Sequence, residues 1–424
     1  MLDIKFIREN AELLREAGRK KHIEFDLDLL LSLDEERRAI MKDVEAARAE
    51  QNVASQNIAG ERDFSARARL IESMQILKDK MRGEEERLQE VMKKWKTQML
   101  LVPNIPDVSV PEGGSDEHNR EERVWGEKPI FNFVPKDHIR LGQALDLLDI
   151  ERGTKVSGFR GYFLKGDLAL LSMSIWRYTM DKLSQKGFVP MMAPALVRRE
   201  SFMGTGYLPQ SEDDLYKVQD ELYLAGTAEV PTMGYHMDEV LDVAKFPIKY
   251  AVFSPCYRRE IGAHGKDTKG LVRVHEFFKV EQIILSEADH QKSVELHEEL
   301  TGNAEEMIQE LGLHYRVVTN CGGDLGLGQV KKYDIEVWVP SEERYRETHS
   351  SSYFHDFQTR RLNIRYKDVD GKLQFAHSLN NTALATPRLL VAILENFQQS
   401  DGSISVPLAL RPYLGKEIIG VQLL

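Results

Sequence analysis

Two long stretches near the start of the chain carry residues at alternating spacings of three and four. This is the heptad pattern of coiled coils, in which a mostly apolar stripe of one helix faces a partner helix. A stripe of this length must be covered, so the sequence requires two long helices that pair. The first stripe comprises Leu30, Leu33, Arg37, Ile40, Val44, Ala47, Gln51, Ala54 and Ile58, and the second comprises Leu70, Met74, Leu77, Met81, Glu84, Leu88, Val91, Trp95 and Gln98.

The segment AGERDFS (59–65) separates the two stripes, and Gly60 is the expected break. A turn this short predicts an antiparallel helical hairpin within one chain, over about 27–100. Each helix of about 30 to 35 residues would be roughly 50 Å long, so we expect the hairpin to project as an arm. A coiled coil between two chains is the alternative. The polar residues in the stripes, such as Arg37, Gln51 and Glu84, do not decide between the two.

A different kind of sequence follows. The stretch LLVPNIPDVSVPEGGSDEHN (100–119) contains prolines and a Gly-Gly pair, which indicate a linker. We therefore predict one domain over 1–108 and another over 109–424. In the second, the patterns predict a helix over 176–187, extended chain over 188–197, a strand over 332–340 and a helix over 389–399. Strands joined by long loops favour an α+β fold, with a largely antiparallel sheet flanked by helices.

Composition limits the possible functions. The formal net charge is −11, so a nucleic-acid partner would have to be held by local positive patches. Cys256 and Cys321 are the two cysteines and lie far apart, which favours a reducing compartment. The start of the chain lacks an apolar signal core, and no apolar run is long enough to span a bilayer. We therefore expect a cytoplasmic protein with no membrane partner.

One loop is unusually basic for an acidic chain. Residues 253–282, FSPCYRREIGAHGKDTKGLVRVHEFFKVEQ, contain three arginines and three lysines. Alternate residues of a strand share a face. The pattern therefore predicts one polar and aromatic face before the loop and one after it. The first comprises Ser254, Cys256, Arg258 and Glu260, and the second comprises Arg273, His275, Phe277, Lys279 and Glu281. The residues alone allow two interpretations, a hairpin that binds a small anion and a solvated hairpin tip.

Several motifs in a fixed order make the sequence resemble the seryl-tRNA synthetases, a family of class II aminoacyl-tRNA synthetases. The three class II motifs match 176–197 with Pro194, the hairpin of 253–282, and LNNTALATPRLLVAILENFQQSDG (379–402). Further matches are GTAEVP (226–231), GDLGLGQVKKYDIEVWVP (323–340), DFQTRR (356–361) and the N-terminal hairpin. The resemblance implies a class II catalytic domain over 109–424 and a tRNA-binding domain with a coiled-coil arm over 1–108.

The resemblance also implies a reaction. The carboxylate of L-serine attacks the α-phosphate of ATP, and the seryl group then passes to the 3′ end of tRNA(Ser) and tRNA(Sec). Mg²⁺ is the implied cofactor and a homodimer the implied assembly, with no role for DNA. Two alternatives are an amino acid ligase that charges a carrier protein and an inactive synthetase relative that acts as an RNA-binding or structural protein. The first lacks a tRNA-binding arm in related proteins, and the second is disfavoured by the intact Arg258, Glu347 and Arg388.

The family's functional residues can be carried over position by position. The catalytic residues implied are Arg258, Arg388 and Glu347. The ATP-binding set is Arg258, Arg259, Glu260, Phe277, Glu347, Thr348, His349, Ser350 and Arg388, with Phe277 and Arg388 on the two faces of adenine. The serine-binding set is Thr227, Ala228, Glu229, Arg258, Glu281, Asn380 and Thr382. Glu347 and Ser350 match the Mg²⁺ ligands, which suits a hard cation that prefers oxygen.

Three places depart from the usual family pattern, and one of them is the loop GAHGKDTKG (262–270), which differs at Ala263, His264 and Lys266. His349 stands where a small residue is common, and Asn380-Asn381-Thr382 replaces Asn-Gly-Ser. The added methyl of Thr382 predicts a tighter serine pocket. The loop lysines, Lys266 and Lys269, are expected to contact ATP or the tRNA acceptor end. Basic residues of the helical hairpin are expected to contact tRNA phosphates, and these are Arg48, Arg62, Lys78, Lys80, Lys93 and Lys94.

Overall fold

The computed structural model describes residues 1–263, 265 and 267–420. Within them the chain forms two compact units. One contains Leu2–Arg19 and Ile23–Pro103, and the other contains the chain from Asn104 onward together with Met1 and Lys20–His22. The functional division into domains over 1–108 and 109–424 stays a prediction. Among the described residues, none of the helices combines the length and apolar character needed to cross a membrane.

The N-terminal helices are α1 (Ile4–Glu9), α2 (Ala11–Lys21), α3 (Leu27–Gly60) and α4 (Phe64–Leu101). The helices α3 and α4 pack side by side and run antiparallel. Arg48 of α3 pairs with Glu85 of α4 at 2.8 Å, and Arg87 of α4 pairs with Glu36 of α3 at 2.5 Å. The hairpin therefore forms within one chain, with residues 61–63 as the turn, as the short separation of the stripes predicted.

The stripes form the contact between α3 and α4, and the polar interruption at Arg37 has partners. Leu33, Ile40, Val44 and Val91 form a buried cluster. The guanidinium of Arg37 lies 4.8 Å from the ring centre of Trp95 and donates to Asp34 at 2.8 Å. A cation against an aromatic face is attracted by the ring's quadrupole. A polar residue in the stripe is therefore stabilised without a break in the hairpin.

The second unit mixes helices with strands. Its helices are α5 (His138–Ala144), α6 (Ile150–Ser157), α7 (Gly166–Gln185), α8 (Arg199–Thr205), α9 (Glu229–Tyr235), α10 (His290–Glu310), α11 (Phe357–Leu362), α12 (Arg388–Asn396) and α13 (Arg411–Leu414). Its strands are β1 (Arg120–Trp125), β2 (Leu148–Asp149), β3 (Phe163–Leu164), β4 (Val189–Met192), β5 (Leu196–Arg198), β6 (Tyr216–Lys217), β7 (Leu222–Leu224), β8 (Val240–Leu241), β9 (Ile248–Tyr257), β10 (Glu276–Ser286), β11 (Tyr315–Thr319), β12 (Lys331–Val339), β13 (Arg344–His355), β14 (Arg365–Lys367), β15 (Leu373–Phe375), β16 (His377–Thr386), β17 (Ile404–Ser405) and β18 (Ile418–Ile419).

The main sheet has the strand order β1-β11-β12-β13-β16-β10-β9-β4. Neighbouring strands are antiparallel throughout, apart from the parallel pair β4–β9. This confirms the predicted α+β fold with a largely antiparallel sheet. The predicted strand over 332–340 corresponds to β12, and the helix over 389–399 corresponds to α12. The helix predicted over 176–187 begins ten residues earlier, because Leu168, Leu171 and Ile175 continue its buried face into the core.

The two faces of β10 have different surroundings. Val280 and Ile284 point into the main hydrophobic core, together with Leu296 and Leu300 of α10. Phe277 and Lys279, on the opposite face, line an open cavity. The pleat of the strand separates the two sets of side chains. The main core thus lies on one face of β10, and polar side chains of β10, β13 and β16 line a cavity on the other.

Candidate active site

A cavity on the face of the sheet opposite the main core collects most of the residues that the sequence assigned to ATP. Arg258 follows the end of β9, Phe277 comes from β10, Glu347 from β13 and Arg388 from the start of α12. The full lining is Arg258, Glu260, Val272, Arg273, Val274, Phe277, Lys279, Glu347, Thr348, Ser350, Thr382, Ala385, Thr386, Pro387 and Arg388. Residues separated by 130 positions in the sequence thus share one concave surface, which is the usual form of a ligand site.

Two arginines dominate the electrostatics of the cavity. The guanidinium of Arg258 lies 5.2 Å from the ring centre of Phe277, and its Nε donates to the carbonyl of Gly226 at 3.3 Å. Arg388 donates through Nε to the carbonyl of Val272 at 2.9 Å and through Nη1 to the carbonyl of Glu347 at 2.8 Å. Each guanidinium retains further N–H donors. The cavity therefore offers two positioned cations to an anionic ligand.

Glu347 is the anion among these cations. Its carboxylate oxygen lies 3.4 Å from Nη1 of Arg388. Burial by itself would raise the pKa of Glu347, but the charges of Arg388, Lys332 and Arg258 lower it below its usual range. The carboxylate is therefore ionised at neutral pH, and a cation could bind to it.

The same carboxylate fits the predicted Mg²⁺ site. Glu347 and Ser350 line one cavity and provide oxygen donors of the kind that Mg²⁺ prefers. The described residues contain no group of three or more His, Cys, Asp or Glu side chains placed to hold a metal ion. A protein cage for a metal is thus not found there. Mg²⁺ commonly takes only one or two protein ligands and completes its shell with water and phosphates, so this donor set suits it.

Lys279, Glu281 and Thr382 form a buried polar triad at the inner end of the cavity. The ammonium of Lys279 is ion-paired with the carboxylate of Glu281. Thr382 Oγ1 accepts from Lys279 Nζ at 3.4 Å and donates to Glu281 Oε2 at 3.3 Å. All three residues are buried. Because buried charges are costly unless paired, the triad holds each group in one orientation.

Glu229 is a second buried carboxyl beside this triad. It is the first residue of α9, and its two oxygens accept hydrogen bonds from Gln358 Nε2 at 2.5 Å and Tyr207 Oη at 3.1 Å. Burial raises its pKa to about 7, and the charge of Glu281 adds to the rise, although Gln358 and Tyr207 act in the opposite direction. Near neutral pH the carboxyl of Glu229 is therefore partly protonated, and a cationic ligand beside it would favour the ionised form.

The remaining residues assigned to serine lie on neighbouring elements. Thr227 Oγ1 accepts from the backbone N–H of Glu229 at 3.3 Å, and the buried Ala228 precedes α9. Asn380 is buried on β16, where it pairs with Ser352 of β13. The motif GTAEVP thus places its carboxyl by starting a helix there.

Two residues assigned to ATP lie outside the cavity. Arg259 turns towards the segment at 213–214, where its Nη1 donates to the carbonyl of Asp213 at 3.0 Å. His349 is buried, its Nδ1 lies 2.7 Å from Thr348 Oγ1, and burial lowers its pKa to about 3. A β-bulge explains why the side chain of His349 lies outside the cavity. Glu336 pairs with Glu347 and Ile335 with His349, so Thr348 is an extra residue that turns His349 away from the cavity.

The prediction that His275 shares a polar face with Phe277 and Lys279 is wrong. This side chain lines a separate aromatic pocket with Trp176 and Phe278, on the other side of β10 from Phe277. Strict alternation begins only where β10 starts, at Glu276. Of the two loop lysines, Lys266 lies outside the described residues and Lys269 is exposed.

Sequence reasoning left several lining residues out of the predicted site. Lys279 was placed on the correct face of its strand, and its position between Phe277 and Glu281 was a usable signal. Val272 and Val274 lie in irregular chain ahead of β10, where no periodicity indicates a direction. Thr386 and Pro387 line the cavity because β16 ends there, beside the loop that precedes β10.

Family models match both parts of the chain. Residues 1–106 match the seryl-tRNA synthetase N-terminal domain, and residues 212–397 match the class II tRNA synthetase core domain of the G, H, P, S and T enzymes. The serine–tRNA ligase of Deinococcus radiodurans is 47% identical over 422 residues, which cover 99% of each chain.

Solved structures give the same result. The crystal structure of seryl-tRNA synthetase from Pyrococcus horikoshii complexed with ATP matches with a TM-score of 0.92 and 39% identity, over 99% of each chain. The cytoplasmic serine–tRNA ligase of Naegleria fowleri in complex with AMP matches with a TM-score of 0.87 and 33% identity, over 100% of this chain and 99% of that one. The likeness therefore extends over both units and is not limited to the catalytic fold.

Proposed function

The chain belongs to the seryl-tRNA synthetase family, and on that premise we propose that the cavity between β10, β13 and β16 is where it joins serine to AMP. The chain is an aminoacyl-tRNA synthetase, a serine–tRNA ligase that consumes ATP. The observation that carries the assignment of the site is the convergence of Arg258, Phe277, Glu347 and Arg388 on one cavity that continues to the triad of Lys279, Glu281 and Thr382.

In the first step, an oxygen of the serine carboxylate attacks the α-phosphorus of ATP. The bond from that phosphorus to the oxygen bridging to the β-phosphate breaks, and pyrophosphate leaves with the electron pair. Negative charge builds up on the α-phosphate oxygens. Arg258 is placed to bind both the carboxylate and the α-phosphate, because a planar guanidinium can donate two parallel hydrogen bonds. Arg388 and Phe277 hold the adenine between them, so that the phosphates reach Arg258.

Mg²⁺ would be held by Glu347 and Ser350, and when bound it would neutralise phosphate charge. The residues of the chain prepare this position. Arg388 fixes the backbone carbonyl of Glu347 at 2.8 Å, and the neighbouring cations keep the carboxylate ionised. Serine is recognised at the buried groups beyond the ATP cavity. Glu229 pairs with its ammonium group. The hydroxyl of serine donates to Glu281 or exchanges a hydrogen bond with Thr382. A substrate without that hydroxyl would make no hydrogen bond to this triad and would bind more weakly.

In the second step, a ribose hydroxyl of the terminal adenosine of tRNA attacks the carbonyl of seryl-adenylate, and AMP leaves. We propose tRNA(Ser) and tRNA(Sec) as the acceptors, bound through the hairpin of α3 and α4. Exposed cations on these helices and on the turn between them include Arg62, Lys78, Lys80, Lys93 and Lys94. Lysine and arginine contacts to phosphates fix the position of a nucleic acid without reading its sequence.

A homodimer is part of the proposal. Large apolar side chains are exposed on α7, β3 and β4 and on the loop before β3, and association with a second chain would cover such surface. These residues are Phe159, Phe163, Leu170, Met173, Val189 and Met192. Sedimentation equilibrium should give twice the mass of the 48.6 kDa chain, and a monomer at micromolar concentration would contradict this part of the proposal.

A cytoplasmic location also belongs to the proposal, and the two free, buried cysteines support it.

Two assays on one pair of proteins test the proposed function. Full-length protein should exchange pyrophosphate into ATP only when serine is present, and should transfer labelled serine to tRNA(Ser). A variant in which a short linker replaces residues 30–100 should keep the exchange reaction and lose transfer. The retained exchange shows that the second unit has folded. Transfer to a carrier protein, or loss of both activities, would refute the division of labour.

A further inference from the structure

One wall of the ATP cavity is a segment without a strand partner. Residues 269–274 lie ahead of β10, and the ladder between β9 and β10 reaches back only to His275, whose carbonyl accepts from the N–H of Arg258 at 2.9 Å, so sheet register does not set the position of 269–274. Val272 and Val274 of this wall line the cavity. The carbonyl of Val272 also accepts from Arg388 Nε at 2.9 Å. The position of the wall therefore determines the shape of the cavity and the orientation of Arg388.

A buried histidine lies directly behind this wall. His138 is the first residue of α5 and is 5% exposed. Its Nδ1 lies 2.8 Å from Glu395 Oε1, and its backbone N–H donates to the same oxygen at 2.9 Å. Glu395 is fully buried on α12, and its other carboxylate oxygen accepts from the backbone of Ser341 at 3.0 Å. Since a carboxylate oxygen accepts here, Nδ1 of His138 carries the proton.

The other ring nitrogen of His138 contacts the wall. The backbone N–H of Leu271 donates to His138 Nε2 at 3.1 Å, so Nε2 is unprotonated and the ring is the neutral Nδ1–H form. Gly270 makes this approach possible. A Cβ at Gly270 would lie 2.2 Å from Nε2, and the φ of Gly270 is +75°, a conformation that favours glycine. The hydrogen bond and the close contact independently show that the wall rests on the imidazole.

We propose that His138 is a positioning residue for ATP in the activation reaction. Glu395 orients the imidazole, Nε2 holds the N–H of Leu271, and the adjoining carbonyl of Val272 then holds Arg388. Arg388 and Glu395 belong to the same helix, α12, so one rigid element supports both ends of this connection. The inference rests on the proposed function, because it assigns ATP to this cavity. It adds a buried pair, His138 and Glu395, that touches neither substrate.

Two substitutions at His138 separate its two hydrogen bonds. His138→Asn keeps a donor near the position of Nδ1 and removes the acceptor for Leu271. His138→Gln can place its amide oxygen near the position of Nε2 and restore that acceptor. In serine-dependent pyrophosphate exchange, His138→Asn should raise the KM for ATP about five-fold, as expected for one lost buried hydrogen bond, and should leave the KM for serine within about two-fold. His138→Gln should rescue most of the ATP effect.

Three further variants complete the test. Gly270→Ala should also raise the KM for ATP, because it displaces the wall while His138 and Glu395 stay paired. His314→Asn is the matched control. This histidine is 6% exposed and is bonded to Trp125 and Tyr345, away from the cavity. It should leave both KM values unchanged. Phe277→Ala reports on the cavity itself and should raise the KM for ATP.

The outcomes distinguish the inference from its premise. Two results would overturn the role of His138, provided that Phe277→Ala still raises the KM for ATP. One is an equal rise in the KM for ATP in His138→Asn and His138→Gln. The other is an unchanged KM for ATP in both His138→Asn and Gly270→Ala. If Phe277→Ala also has no effect, the assignment of ATP to this cavity is wrong instead. Circular dichroism melting of each variant checks folding. Should His138→Asn fail to fold, Gly270→Ala against wild type decides the question.

Discussion

Protonation of Glu229 should make serine binding depend steeply on pH. Burial raises the pKa of this carboxyl from 4.5 to about 7, with a further contribution from Glu281. In the proposed pocket Glu229 pairs with the ammonium of serine, so only its ionised form binds well. About nine tenths of the group is ionised at pH 8 and about one tenth at pH 6. With ATP saturating, the KM for serine should therefore be about ten-fold higher at pH 6 than at pH 8.

Two variants test the cause of this dependence in pyrophosphate exchange. Glu229→Gln cannot ionise, so its KM for serine should be high and nearly constant between pH 6 and pH 8. Tyr207→Phe removes the hydroxyl that donates to Glu229 at 3.1 Å and helps to stabilise the carboxylate. The pKa of Glu229 should then rise further, and the midpoint of the profile should move to higher pH. Glu281, Lys279 and Arg258 also face this pocket, so a Glu229→Gln profile as steep as that of wild type would assign the titration to another group and refute the reasoning.

The same pKa also predicts an effect on stability with a definite sign. A carboxyl whose pKa is higher in the folded than in the unfolded state destabilises the fold as pH rises from the unfolded value through the folded one. For Glu229 the window runs from 4.5 to about 7, and the full cost above it is about 3 kcal/mol. Glu229→Gln should therefore melt at a higher temperature than wild type at pH 8, and the gain should vanish towards pH 4.5. Equal melting temperatures at pH 8 would contradict a costly buried carboxylate.

Three other substitutions, one of them with a matched control, have distinct expected results. Arg258→Ala should abolish serine-dependent pyrophosphate exchange without changing the melting temperature by more than a few degrees, and retained exchange would remove this arginine from the proposed role. Thr382→Ser keeps the hydroxyl that contacts Glu281 and deletes a methyl, so activation of threonine relative to serine should rise about ten-fold; Thr386→Ser, which deletes the same group at the other end of the cavity, should leave that ratio unchanged. Gly204→Ala should lower the free energy of unfolding by about 1–3 kcal/mol in denaturant titration, because its Cβ would lie 2.1 Å from a methyl carbon of Leu362. A neutral result there would mean that α8 and α11 shift apart easily.

Much of the architecture could be predicted because it depends on residues close together in the chain. The heptad stripes specified α3 and α4, and Asp26 and Asp63 cap the two helices with side-chain hydrogen bonds to the backbone. Alternation along β10 placed Phe277 and Lys279 on one face. The family motifs identified Arg258, Glu347 and Arg388, which the structure brings into one cavity.

Prediction was weaker where the direction of a side chain depends on a strand or loop from elsewhere. One extra residue, Thr348, turns His349 away from the cavity that holds Glu347, and nothing in the local pattern marks that bulge. Arg259 follows Arg258 directly, yet the carbonyl of Asp213 draws it to another surface.

Heptad and strand periodicity encode which side chains are buried together, because a helix or strand repeats its own geometry and imposes it on every residue. The amino-acid order therefore determined the helical hairpin, the antiparallel sheet and the family. The connection from Glu395 through His138 to Leu271, and the raised pKa of Glu229, were decided by the packed fold, because hydrogen bonds and desolvation depend on distances between segments more than a hundred residues apart.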